Sequence, residues 1–309
     1  MYWETSGAPD GVPAVWLHGG PGSGLGAGGY RNRFDPAQNL VVGLDQRGCG
    51  RSRPLIVDDL GSLPGLTTQR LIADLEALRE HLGIERWIVT GASWGSTLAL
   101  AYAVAHPERV IGVVAFAVTT TSRDEVDWIT EGVGRIFPKA WAAFEAASGR
   151  HPGERVVEAY ARRLADPSEE AADDRARAAD AWDAWESTHV SLDPAWQPGP
   201  LHEDSVQRAV FGTLVTHFWA HDAFLPGDEA ILARTDRLAE VPVVLIHGRH
   251  DVSGPVITAW RLHQRLPHSE LHVVESEGHG GPVAVELTRE AAARLTAEAA
   301  RNVRDIPDA

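Results

Sequence analysis

The stretch Val89-Thr90-Gly91-Ala92-Ser93-Trp94-Gly95-Ser96-Thr97-Leu98-Ala99-Leu100 constrains this chain more than any other. An apolar strand signal at 87–90 runs into a serine flanked by glycines, and an apolar helix signal follows at once. A Gly-x-Ser-x-Gly between strand and helix makes a sharp turn, with a strained serine and tightly pressed neighbours. Gly91 and Gly95 have no side chain to clash there. The turn lifts the Ser93 hydroxyl over the end of a sheet. The Trp94 N–H, in the first helical turn, points at the same space. The bare pattern also occurs in ordinary tight turns; the flanking strand and helix select the nucleophile-presenting form.

Short apolar runs at 14–17, 40–44, 111–118, 241–247 and 271–274 read as further strands. Between them, Leu71, Ile72, Leu75, Leu78 and Leu82 recur at helical spacing and predict an amphipathic helix that ends near Gly83. Strands alternating with helices imply an α/β chain with a mostly parallel central sheet and helices on both faces. From about 120 to 238 the strand signals vanish. Alanine, charged residues and tryptophan dominate, in helical stretches such as 153–165 and 169–189. The expected organisation is a core in two parts, 1–119 and 239–309, with a helical cap inserted at 120–238. An alanine-rich helix near 286–302 closes the chain.

The charge balance narrows the function. The chain has 28 basic and 43 acidic residues, a net charge of −15, and no long basic run, which argues against a nucleic-acid partner. Cys49 is the one cysteine, so no internal disulfide forms, which suits a reducing cytoplasm. The first residues show no basic stretch followed by an apolar core, and no apolar run approaches the roughly 20 residues that cross a bilayer. Cytoplasmic localisation and no membrane partner are therefore expected.

The residues that carry chemistry fall at strand ends. His18-Gly19-Gly20-Pro21-Gly22-Ser23-Gly24 follows the 14–17 strand. It lacks the Gly-Lys-Ser/Thr of a phosphate loop and the spacing of a dinucleotide fingerprint, so no cofactor is expected. Its backbone N–H groups suit an oxyanion instead; the plainer reading is a flexible connection. Asp251 follows one late strand and His279 the next, which gives the chain order serine, acid, histidine. Parallel strands present their C-terminal ends on one edge, where catalytic groups of such sheets collect. An unassisted serine hydroxyl is a poor nucleophile. His279 would take its proton and return it to the leaving amine, while Asp251 would fix the imidazole tautomer. The Trp94 N–H and one from Gly19-Gly20, taken as Gly20, would hold the oxyanion.

Competing candidates have simpler readings. His217 and His221 are four apart but lack a carboxylate at metalloprotease spacing, so no metal is expected. His18 braces its own loop, Cys49 is a small buried residue, and an Asp45–Arg47 pair braces the turn after the 40–44 strand. Asp222 and Asp228 read as solvated.

These residues together resemble the proline iminopeptidases, α/β-hydrolases that remove an N-terminal proline from peptides. The resemblance rests on the 18–22 motif, on Asp45-Gln46-Arg47-Gly48-Cys49-Gly50-Arg51-Ser52, on 91–102 and on the helix before it. It is close over the first 110 or so residues and partial in the insert. There, Arg135 precedes Ile136-Phe137-Pro138-Lys139-Ala140-Trp141, which is similar to a family cap segment. Trp182-Asp183-Ala184-Trp185-Glu186 resembles the Trp-x-x-Trp-Glu whose glutamate holds the substrate's amine. The resemblance implies substrate-binding roles for Glu186, Arg135, Gly19 and Trp185, although Trp182 and Trp185 also suit core packing and Glu186 a solvated face. A second family glutamate, in Glu-Asn-His-Tyr-Phe, is replaced by Val215 in Val215-Thr216-His217-Phe218-Trp219. Glu131, Glu203 and Asp222 are the acidic residues that could compensate.

The implied activity is a serine hydrolase that releases an N-terminal proline or other small residue from a small peptide or amide. An alternative keeps the triad but takes an acyl group without a free amine, as an amidase or esterase of specialised metabolism. A non-catalytic binding protein is disfavoured by the complete triad. Epoxide hydrolases and dehalogenases are disfavoured by serine in place of an aspartate nucleophile.

Overall fold

Side chains along the strands alternate between two buried layers, and this fixes the architecture. In the computed structural model, which describes residues 1–192, 199 and 201–304, seven strands form one sheet in the order β1-β3-β2-β4-β5-β6-β7. They are β1 (Tyr2–Gly7), β2 (Val12–Leu17), β3 (Asn39–Asp45), β4 (Trp87–Ala92), β5 (Val110–Phe116), β6 (Val243–Gly248) and β7 (Glu270–Val274). All pairings are parallel except β1 with β3. Val15, Leu17, Trp87, Val89, Val113 and Ala115 enter one apolar layer, which also holds Leu71, Leu75 and Leu78 of α1 (Thr68–His81) and Leu98 of α2 (Trp94–Ala105). Ala14, Trp16, Ile88, Val114 and Phe116 enter the other, against Ala291, Ala292 and Leu295 near the end of the chain. Strands buried on both faces read as continuous apolar runs, which is why the sequence betrays them.

β1 is absent from the sequence reading. Tyr2-Trp3-Glu4-Thr5-Ser6-Gly7 is mostly polar, and its residues alternate between half-buried and exposed. An antiparallel edge strand packs one face only and needs no apolar run.

Between β5 and β6 run α3 (Arg123–Thr130), α4 (Pro138–Ser148), α5 (Val156–Leu164), α6 (Ala172–His189) and α7 (Ser205–Ala220), with no strand among the described residues of this insert. They enclose an apolar cluster of their own. Phe144 stacks on Tyr160 at 4.7 Å and on Trp185 at 5.0 Å, and Trp182 meets Phe144 edge-on at 5.5 Å. α7 joins this cluster to the sheet layer with two stripes one residue out of phase. Val210, Leu214 and Phe218 belong to the sheet layer, and Phe211 and Val215 to the insert. α8 (Ile257–Arg265) and α9 (Pro282–Arg304) flank β7 in sequence. No described helix is long and apolar enough to cross a membrane.

Candidate active site

The turn between β4 and α2 is built as its glycines require. Ser93 has φ 55° and ψ −125°, a conformation that costs a non-glycine residue about 1–3 kcal/mol. The surroundings hold it there. A Cβ on Gly91 would lie 2.0 Å from the Gly95 carbonyl oxygen, and one on Gly95 2.0 Å from that of Leu17. The Ser93 N–H donates to Phe116 O at 3.0 Å, and its carbonyl accepts from Ser96 Oγ at 2.7 Å. Trp94 opens α2, so its N–H has no intrahelical acceptor.

Asp251 and His279 come from loops that brace each other at the ends of β6 and β7. A Cβ on Gly248 would strike the Gly278 carbonyl oxygen at 2.0 Å. His250 N–H donates to Glu277 O at 2.9 Å, and Glu277 caps the start of α9 by accepting from Val283 N and Ala284 N. His279 Nδ1 and Asp251 Oδ2 are 2.8 Å apart, and Gly254 N–H donates to Asp251 Oδ1 at 2.9 Å. With the carboxylate accepting, the proton sits on Nδ1 and the Nε2 lone pair is left to act as base. Burial raises the Asp251 pKa, but the His279 charge and hydrogen bond outweigh it and hold the group below the usual carboxylate range. For His279, burial works downward while Asp251 and Glu186 work upward, and the net shift is up.

Ser93, Trp94, Gly20 and His279 line one cleft with Thr119, Thr121, Glu125, Val126, Ile129, Trp219, Ser253 and Gly254. Ser93 Oγ makes no hydrogen bond with His279; such bonds often tighten only when substrate is bound. Gly19 packs against the turn, where an added Cβ would meet Ser93 Cβ at 3.4 Å. Next to the cleft, Glu186 is half-buried, and no Arg or Lys pairs with it among the described residues. Burial pushes its carboxyl up to about 7, partly countered by the charge of His279. Trp182 Nε1 lies near this carboxyl without completing a hydrogen bond.

Three expected substrate contacts lie elsewhere. Val215 is fully buried in the insert's apolar cluster, because it shares a stripe with Phe211 one step round α7 from Leu214. Trp219, one turn further along that stripe, is the residue that reaches the cleft. Trp185 is 2 % exposed; its indole N–H donates to Ile129 O at 3.0 Å and its ring stacks on Phe144, so it packs rather than lines. Arg135 ends a short 3-10 turn (Gly132–Arg135), is exposed, and is not among the cleft residues. Of the acidic residues proposed to compensate for Val215, Glu131 contacts Arg150 at 3.2 Å, Asp222 faces Arg123 and Arg155, and Glu203 is exposed.

Glu125 is the acidic cleft residue that the sequence reading misses. Its carboxylate accepts from Thr119 Oγ1, the N–H and Oγ1 of Thr120, and the N–H and Oγ of Ser122. The signal was Ser122-x-x-Glu125, a capping box at the start of α3. His189 is also close. Its Nδ1 bonds Ser253 Oγ at 2.8 Å, and burial pushes its pKa down to about 3, so it stays neutral.

The bracing of the glycine loop also differs from expectation. Asp45 pairs with Arg51 at 2.8 Å and holds Leu25 N–H, whereas Arg47 forks onto Asp74 at 2.9 and 2.6 Å. Cys49 is fully buried, as expected. His217 Nε2 bonds Leu66 O at 2.8 Å, and no cluster suited to a metal occurs among the described residues.

Residues 13–282 match the alpha/beta hydrolase fold family. A proline iminopeptidase of Neisseria meningitidis serogroup B is 40% identical over 281 residues, covering 90% of this chain and 86% of the relative. A probable proline iminopeptidase of Streptomyces coelicolor is 43% identical over 290 residues, with 90% and 86% covered. Among solved structures, a proline iminopeptidase of Mycobacterium smegmatis matches with a TM-score of 0.55 and 21% identity, covering 96% of this chain and 95% of that one, a likeness of fold.

Proposed function

The chain belongs to the proline iminopeptidases of the α/β-hydrolase fold, and we propose that Ser93, His279 and Asp251 form its triad and that Glu186 receives the substrate's free amine. The reaction is release of an N-terminal proline, or another small residue, from a peptide or amide. Ser93 Oγ attacks the carbonyl carbon as His279 Nε2 takes its proton. The N–H groups of Trp94 and Gly20 hold the oxyanion. His279 then protonates the leaving amine, and water, deprotonated by the same imidazole, hydrolyses the prolyl-enzyme. The insert at 120–238 acts as the cap, and the cytoplasm is the proposed compartment.

One observation carries the amine reading: Glu186 is half-buried, near enough to His279 for their charges to interact, and no Arg or Lys among the described residues pairs with it. A substrate ammonium supplies the missing positive charge. A charge-assisted contact contributes about 1.5–3 kcal/mol. Glu186→Gln is therefore expected to lower kcat/KM for prolyl arylamide by roughly 10- to 150-fold. A simple aryl ester should lose far less. Equal losses on both substrates would remove Glu186 from amine recognition. The activity itself is tested with prolyl, alanyl and N-acetylprolyl arylamides beside that ester. Preference for the free prolyl compound is expected. Val215 favours the second reading, an amidase or esterase, because it removes one family carboxylate; preference for the acetylated compound would select it.

The pH profile separates the two roles. Glu186 binds an ammonium only when ionised, above about 7. His279 acts as base only when neutral, above its raised pKa. Both active forms are the deprotonated ones, so activity falls as pH falls. The pair titrates as a unit. The acid limb of log kcat/KM should approach a slope of about two for the free prolyl arylamide and about one for the aryl ester. Identical slopes would contradict the Glu186 assignment.

A further inference from the structure

Gln46 ties together the two segments that present N–H groups to the oxyanion. It follows β3 directly and is 3 % exposed. Its backbone N–H donates to His18 Nε2 at 3.0 Å. Its side-chain Nε2 donates to the His18 carbonyl at 2.9 Å, and its Oε1 accepts from the Trp94 indole at 2.9 Å. These partners settle the amide orientation, since an indole N–H only donates and a carbonyl only accepts. His18 in turn accepts from Gln46 N–H on Nε2 at 3.0 Å, which places the proton on Nδ1, where the 2.9 Å bond to Gly19 O is favoured over the longer 3.3 Å approach of Gly24 N–H. The chain of bonds thus runs from Trp94 through Gln46 and His18 to the peptide preceding Gly20.

We propose that Gln46 is a positioning residue that sets the spacing between the Gly20 and Trp94 N–H groups and thereby the stabilisation of the tetrahedral oxyanion. The proposal rests on the assignment of those two N–H groups above. A side chain of this length must offer one donor and one acceptor in a single plane, and glutamine does so without charge. Leucine leaves the His18 carbonyl and the Trp94 indole unpaired. Glutamate sets a carboxylate oxygen against the His18 carbonyl, unless it is protonated and can donate.

The test uses the full chain as Gln46→Leu, Gln46→Glu and Trp94→Phe, beside wild type and Ser93→Ala, with prolyl arylamide as substrate and free proline as a competing ligand. Misplaced donors act where charge develops. Gln46→Leu should therefore lower kcat by about 10- to 100-fold, with KM and the proline inhibition constant within about threefold. Trp94→Phe removes the indole N–H but keeps the backbone donor, and should give a smaller loss of kcat of the same kind. For Gln46→Glu, the ratio of its kcat to that of wild type should rise as pH falls, as the new carboxyl protonates. The titratable groups around it are His18, kept neutral by burial, and Cys49, whose thiol donates to Gln46 O at 3.2 Å and is pushed up by burial. The neighbours Asp45 and Arg47 are paired with Arg51 and Asp74. All of these are shared with wild type, so the ratio isolates the new group.

A Gln46→Leu kcat within twofold of wild type overturns the proposal. So does a parallel loss of kcat and proline affinity, or a flat Gln46→Glu ratio. Should Gln46→Leu not fold, the Gln46→Glu ratio and Trp94→Phe decide. More than a tenth of wild-type turnover surviving in Ser93→Ala overturns the site itself. Serine-dependent turnover with an unaffected Gln46→Leu overturns only the role of Gln46.

Discussion

Ser93→Ala is expected to lower kcat on prolyl arylamide by on the order of 10⁵-fold, because in the proposed triad nucleophile and base act as a unit and neither is effective alone. Thr119, Thr121 and Ser253 also line the cleft. None stands at the β4–α2 turn with an adjacent free helical N–H, so none replaces the missing nucleophile. Stability should change little. Alanine is as strained as serine at φ 55°, and the bonds that hold this turn come from the backbone of residue 93. A residual rate above that in water should persist, since the Trp94 and Gly20 N–H groups and Glu186 remain. Steady-state kinetics give the loss, and fluorophosphonate labelling followed by peptide mass analysis locates the reactive group. More than a tenth of wild-type turnover, or labelling at another residue, would sink the assignment.

Gly95→Ala should act on the fold and the site together. The added Cβ meets backbone on every side: Leu17 O at 2.0 Å, Leu17 C at 2.8 Å and His18 O at 3.0 Å. No flexible side chain can move aside, so β2 and α2 must separate. Overpacking of this kind costs about 3 kcal/mol, which lowers Tm by roughly 4–6 °C for a chain of this size. The displaced strand leads into the loop that carries Gly20, so the proposed oxyanion donors separate as well. A kcat loss of at least about tenfold is expected in the protein that remains folded. Thermal unfolding and kinetics well below Tm test the two effects separately; wild-type values for both would refute the close approach.

Much of the fold is legible because it depends on local patterns. Five of the seven strands, β2 to β6, are mainly apolar runs, since a parallel strand covered on both faces has no polar side to show, while the half-buried edge strand β7 is still marked by Leu271, Val273 and Val274. β1 escapes notice because an edge strand needs no such run. Ser93, Asp251 and His279 can be read as candidates because Ser93 follows β4 directly, the other two stand in the loops after β6 and β7, and parallel strands deliver their ends to one edge. The insert is harder to read. Helical spacing shows that Trp182, Trp185 and Val215 lie on apolar stripes, but not what each stripe faces. Val215 and Trp219 lie on the same stripe of α7, yet one is enclosed by the insert and the other meets the cleft.

By itself, then, the sequence determined the succession of core strands after β1, the strained turn at Ser93 and the loops bearing Asp251 and His279. Short-range sterics and burial periodicity dictate each of these. Only the tertiary structure decided that Glu186 is half-buried with no Arg or Lys paired to it among the described residues, that Glu125 enters the cleft while Arg135 does not, and that Gln46 spans from His18 to Trp94. Those contacts join residues distant in the chain, and their geometry follows from how the insert and the sheet layers pack, which no local pattern encodes.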